Sequence, residues 1–256
     1  MAFVVVLDTC VLFPAHLRDT LLRLAEIELF VPVWSAHIIG ELERNLVEYR
    51  IAPTAVVRLT TLMSDTFPDA SVIAYEDLIP SMTCHEKDRH VLAAAVRSGA
   101  AAVVTFNVRD FPARSTEPYG VDVVDPDDFL LDLLDLAPRE LRDELARQAA
   151  SNRRHPQTLA ALLDALAKSG VPRFCWRGQT SRIAAAERRW ASTEAVVAAV
   201  PRTVGKRKLR PTPLQRSVAE TGDVGVSLCK QIASIRSRNV AEPSGRQRSP
   251  VLRSAS

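Results

Sequence analysis

Residues 2–7, AFVVVL, are apolar at every position. A strand with one wet face alternates, so an unbroken apolar run reads as a strand covered on both faces, the interior of a parallel sheet. Such a sheet needs helical crossovers, and the sequence that follows supplies them. Leu17, Leu21, Leu24 and Ala25 mark a helical face over 17–28. Ile38, Leu42, Leu46 and Tyr49 mark a second, which Ser35 can N-cap. Pro53 can open a third at its N1 position, running to Asp65. Short strand candidates lie at 29–33, 71–75, 102–106 and 121–124. Pro32 has no backbone N–H and pushes its strand toward an edge or a short ladder. Strands alternating with helices predict an α/β fold with a mainly parallel sheet.

The chemistry concentrates in residues 83–111, TCHEKDRHVLAAAVRSGAAAVVTFNVRDF. Asp88, Val91, Leu92 and Ala95 share one helical face, so a carboxylate belongs to an otherwise apolar stripe. A buried carboxylate is costly unless something compensates it. Gly99 suits the C′ position of that helix, and the strand at 102–106 leads straight to Asn107 and Asp110. Asp8 likewise follows the first strand. In open parallel sheets the functional crevice lies off the carboxyl ends of the strands, which is where Asp8, Asp88 and Asp110 should meet. No GxGxxG, GxxxxGK[ST] or GxSxG motif follows any strand, and the five histidines lack metal-type spacing. A carboxylate cluster remains. Oxygen-only sites select Mg²⁺ or Mn²⁺, whose usual work beside such acids is on a phosphodiester.

Charge divides the chain. Of 33 Lys/Arg and 30 Asp/Glu, residues 201–256 hold 12 and 3, so residues 1–200 hold 21 and 27. The expected organisation is an α/β domain over 1–130, a helical extension over 131–200 and a basic, disordered tail over 201–256. Leucine patterns mark helical segments from Pro126 to Leu166, Gly170 and Pro172 stop that run, and a further helix is expected over 180–200. No apolar run reaches the ~20 residues of a membrane span. The start lacks the basic n-region of a signal peptide, and Cys10, Cys84, Cys175 and Cys229 are scattered. A cytoplasmic protein with free thiols and no zinc is expected.

Four segments, LDTCVL, the helix containing GELERN, KDRHVLAAA and VTFNVRDF, together resemble the signature segments of the PIN-domain nucleases, in that family's order and spacing over residues 3–130. The resemblance implies a PIN-like sheet flanked by helices and four acidic positions at Asp8, Glu41, Asp88 and Asp110. It implies metal held by Asp8, Asp88 and Asp110, with Thr105 and Asn107 in support. It also implies an Mg²⁺- or Mn²⁺-dependent endoribonuclease acting on RNA, most often a VapC-type toxin with a cognate antitoxin, and frequent homodimers. A housekeeping nuclease in RNA processing, one acting on structured DNA, and an inactive binding scaffold remain as alternatives. Helical geometry does not choose between Glu41 and Glu43, which flank the Ile38/Leu42/Leu46 stripe on opposite sides. Lys87, Arg89 and Arg109 flank the acids and could hold RNA phosphates or simply be solvated. His85 and His90 read as structural, and Trp34, Trp176 and Trp190 as packing residues.

Overall fold

The computed structural model describes residues 3–180; the helix expected beyond them, the basic tail, Trp190 and Cys229 lie outside the described residues. Five strands, β1 (Val4–Leu7), β2 (Val31–Ser35), β3 (Ser71–Val72), β4 (Ala102–Val104) and β5 (Asp122–Val124), form an all-parallel sheet of order β3-β2-β1-β4-β5. The apolar run that opens the chain is the central strand, and Val5, Val6 and Leu7 have no exposed surface. Pro32 sits in an internal strand, not at an edge. Val31 N donates to Phe3 O, so the Pro32 nitrogen points away from β1, and on that side β3 pairs only with Trp34 and Ser35. The missing donor therefore faces no strand. The strand expected over 71–75 is cut to two residues, and a 3₁₀ segment, Glu76–Ser81, follows.

Helices connect the strands. α1 (Thr9–Leu12) and α2 (Ala15–Glu26) follow β1, α3 (Ala36–Glu48) and α4 (Pro53–Thr66) follow β2, α5 (Arg89–Ser98) precedes β4, and α6 (Ala113–Thr116) precedes β5. Ser35 caps α3 by accepting from Ile38 N at 3.3 Å. Gly99 ends α5 in the left-handed region at φ 64°, as its C′ placement requires. α5 starts later than the apolar spacing implies. A 3₁₀ turn, Glu86–Asp88, comes first, and Asp88 stands at the N-terminal boundary of α5 without using its side chain as a cap.

Beyond the sheet come α7 (Pro126–Leu136), α8 (Pro138–Ser151), α9 (Leu159–Lys168) and α10 (Pro172–Thr180). Pro172 opens α10 instead of stopping the helical run. The buried Asp127 carboxylate accepts from Arg173 N at 2.9 Å and Phe174 N at 2.8 Å, which satisfies the first N–H groups of α10 from a neighbouring helix. The break belongs to Gly170, at φ 104°, where an added Cβ would stand 2.8 Å from the Phe106 ring. Leu141, Leu145, Leu162, Leu166 and Phe174 join the same apolar core as the sheet. Trp34 packs as expected, edge-on to Phe67, whereas Trp176 is 68% exposed. Among the described residues no helix is long and apolar enough to cross a membrane.

Candidate active site

β1 and β4 end at the same level, because Leu7 pairs with Val104 and Asp8 N donates to Val104 O at 3.2 Å. The next residue of each strand, Asp8 and Thr105, therefore stand side by side at the carboxyl edge of the sheet. Thr105 Oγ1 donates to Asp8 Oδ2 at 2.6 Å, Cys10 Sγ donates to the same oxygen at 3.1 Å, and Thr9 N donates to Asp8 Oδ1 at 2.7 Å. Asp8 thus both caps α1 and presents a fixed carboxylate to the sheet edge. Asn107 contributes its backbone N–H to the Thr105 hydroxyl at 3.0 Å.

The loop that carries Asp88 is tied to the loop that carries Asp110, since His85 N donates to Asp110 O at 2.9 Å. Lys87 Nζ lies 2.9 Å from Asp110 Oδ2 and 3.9 Å from Asp88 Oδ2. Asp88 is buried, and its Oδ2 has no hydrogen-bond partner. Burial first, and then the charges of Asp8 and Asp110, push its carboxyl up to about 7 against the opposing pull of Lys87. Asp88 thus feels both Asp8 and Asp110.

Glu41 reaches the same edge and Glu43 does not. Thr9 Oγ1 donates to Glu41 Oε2 at 2.9 Å, and His90 Nε2 lies 3.3 Å from Glu41 Oε1. Partial burial raises the Glu41 carboxyl, but the hydrogen bond and charge of His90, the Thr9 hydroxyl and the Arg44 charge outweigh it and hold it below the usual range. Glu43 instead accepts from Thr60 Oγ1 at 2.8 Å and ties α3 to α4. The His90 ring also lies 5.3 Å from that of His37, tilted by 41°, and His37 Nδ1 lies 2.6 Å from the Tyr75 hydroxyl. Sequence reasoning missed Thr9, Cys10 and this His90 partnership. Their proximity to Asp8 and Asp88 along the chain is the signal that could have raised them; Tyr75 carries none. Arg109 is exposed, whereas Arg89 is partly buried with its Nε unbonded.

The donors are hard oxygens, which suit Mg²⁺ or Mn²⁺. Among the described residues, no three His, Cys, Asp or Glu side chains close into a set that holds an ion unaided. Mg²⁺ keeps several waters and takes one or two protein carboxylates, so the unbonded Asp88 oxygen beside Asp8 fits a hydrated ion and not a closed cage.

Residues 4–109 match the model of the PIN domain, and residues 126–177 match the VapC50 C-terminal domain. A Mycobacterium tuberculosis (strain ATCC 25618 / H37Rv) protein named as a ribonuclease, VapC50, is 44% identical over 105 residues, which are 41% of this chain and 62% of the relative. The match thus spans less than two thirds of that relative's length. No solved structure matches the chain.

Proposed function

Because the chain belongs to the PIN-domain family, we propose that it is an Mg²⁺- or Mn²⁺-dependent endoribonuclease, the toxin of a type II toxin–antitoxin pair. The observation that carries the reading is the buried Asp88 oxygen that makes no hydrogen bond and has the Lys87 ammonium no nearer than 3.9 Å, on a carboxyl pushed up to about 7 in the field of Asp8 and Asp110. A pocket so short of positive charge is suited to a divalent ion. When bound, the ion would polarise a phosphoryl oxygen and lower the pKa of a water.

Asp8, Asp88 and Asp110 would hold it. Asp8 is fixed for that task by donors on both oxygens, from Thr9, Cys10 and Thr105. Glu41 has one oxygen on Thr9 and the other beside His90, so its part is to position the attacking water or to serve as a further ligand. Arg89 and Arg109 flank the acids, and their role is to meet RNA phosphates. An RNA substrate is supported by the likeness to VapC50, which is named as a ribonuclease; a cognate antitoxin, homodimer formation and a cytoplasmic location belong to the same proposal through the resemblance to VapC-type toxins.

Sequencing RNA ends from cells that briefly express the parent or the Asp8→Asn variant tests the reading. New 5′ ends should appear with the parent only; equal cleavage by both would overturn it. Fragmentation of DNA alone would move the activity to the other nucleic acid.

A further inference from the structure

Asp110 and Asp88 already have a cation between them. We propose that Lys87 is the resident counter-ion of the acid pocket, one that a divalent ion must displace and that then becomes free to meet a substrate phosphate. The inference rests on the metal-site reading above and adds its regulation.

The Lys87 ammonium touches Asp110 Oδ2 at 2.9 Å and stops at 3.9 Å from Asp88 Oδ2. Its backbone is held within the 3₁₀ turn Glu86–Asp88, where Asp88 N donates to His85 O and His85 N to Asp110 O, both at 2.9 Å. Only the side chain is left to move, and it is 51% exposed. An ammonium in that position exchanges carboxylate for water at small cost, as surface ion pairs do. It also neutralises the pocket incompletely. One ammonium faces two carboxylates, in contact with that of Asp110 and short of that of Asp88. The carboxyl beside it keeps an oxygen without a hydrogen bond.

A divalent ion entering this space would meet a positive charge already in contact with one of its own ligands. Like charges that close repel, so the ammonium and the ion compete for Asp110 and Asp88. Once out, the ammonium stands on a four-carbon stem beside the acids, where a scissile phosphate would lie. Metal loading and phosphate binding are then favourably coupled, each helping to keep Lys87 in its outward position.

Calorimetric titration of the full chain with Mn²⁺ tests this, using the parent, Lys87→Met and Lys87→Arg. Methionine keeps most of the stem and removes the charge; arginine keeps the charge. Lys87→Met should bind Mn²⁺ about tenfold more tightly than the parent, the effect of one nearby unit charge on a partly exposed site. Lys87→Arg should stay within about twofold of the parent, because the competitor survives. Affinity in Lys87→Met equal to or weaker than in the parent would overturn the inference and leave the metal site standing. Absence of Mn²⁺ binding in all three proteins would remove the metal-site reading and this inference together. Thermal melts of the variants read the fold separately.

Discussion

Among the described residues, the charges buried between α2 and α8 and those at the carboxyl edge of the sheet are neutralised in different ways. Between α2 and α8, Arg23 Nε lies 2.9 Å from Asp19 and its Nη1 3.2 Å from Glu144, while Arg147 meets the other Glu144 oxygen at 2.8 Å. Arg18, held by Leu12 O at 2.7 Å, faces Asp19 as well, and Glu26 feels Arg23. Three cations there answer three acids. At the sheet edge one half-exposed lysine answers Asp8, Asp88 and Asp110. Burial raises the carboxyls of Asp19 and Glu144 too, but the Arg23 that answers both is itself buried, and only Arg147 is exposed as Lys87 is. The first cluster matches its charges one for one, although Arg18 Nε, Asp19 Oδ2 and Glu26 Oε1 make no hydrogen bond, and through Arg23 and Glu144 it holds the helical extension to the domain. The second is left in deficit, and that deficit is what a metal-dependent site requires.

The largest expected effect comes from taking a charge out of the second cluster. Asp8→Asn should lower RNA cleavage by about three orders of magnitude, the scale seen for groups acting at the reacting centre. The melting temperature should hardly move, because the amide keeps the shape and two of its neighbours can still donate to its oxygen. Cleavage within about tenfold of the parent would contradict the role given to Asp8. The opposite outcome is expected in the first cluster. Arg23→Met should destabilise by about 3 kcal/mol, since it leaves Asp19 and Glu144 buried without their cation. Activity of whatever stays folded should be retained. Denaturant unfolding beside a turnover assay reads both.

Asp88→Asn should make the metal-free protein more stable, by about 1–2 kcal/mol at pH 8 after allowance for screening. A carboxyl pushed up to about 7 holds its proton more tightly when folded than when unfolded. The cost it imposes is therefore absent below pH 4, grows as pH rises to 7, and is constant above that. The gain from Asp88→Asn should follow the same course and vanish near pH 4. A gain independent of pH would show that packing, not charge, accounts for it.

How much of this was legible in the sequence follows from what each residue depends on. The central strand, Gly99, the Ser35 cap and the Pro53 start are local signals, and the fold obeys them. Asp8 and Asp110 were placed by following a strand to its end, a rule that needs no tertiary knowledge. Glu41 and Glu43 were equivalent by helical angle. Contacts with Thr9 and Thr60, 32 and 17 residues away, separate them. The misreading of Pro172 has the same origin, because its helix is capped by Asp127, 46 residues from Arg173. Tyr75 and His37 meet across 38 residues with no periodic pattern to announce them. Periodicity reports which face is buried, and it is silent on which polar groups the burial brings together.

The smallest effect belongs to His16, in the first turn of α2 beside the balanced cluster. Its carbonyl accepts from Thr20 Oγ1 at 2.9 Å and Gln148 Nε2 at 3.3 Å, and its ring is buried. Burial first, then the charges of Arg18 and His155, hold the imidazole below its ordinary 6.5. A histidine depressed in the folded state binds fewer protons there than in the unfolded chain. The stability tied to the neutral ring is present above pH 6.5 and is lost as pH falls below it. That slope runs opposite to the one expected from Asp88, so the two clusters can be told apart by titration alone. His16→Gln should melt less steeply than the parent between pH 7 and 5, with a difference small beside those above. Parallel melting profiles over that interval would show that protons reach the folded α2–α8 interface without penalty, and the contrast between a closed cluster and an open one would lose its basis.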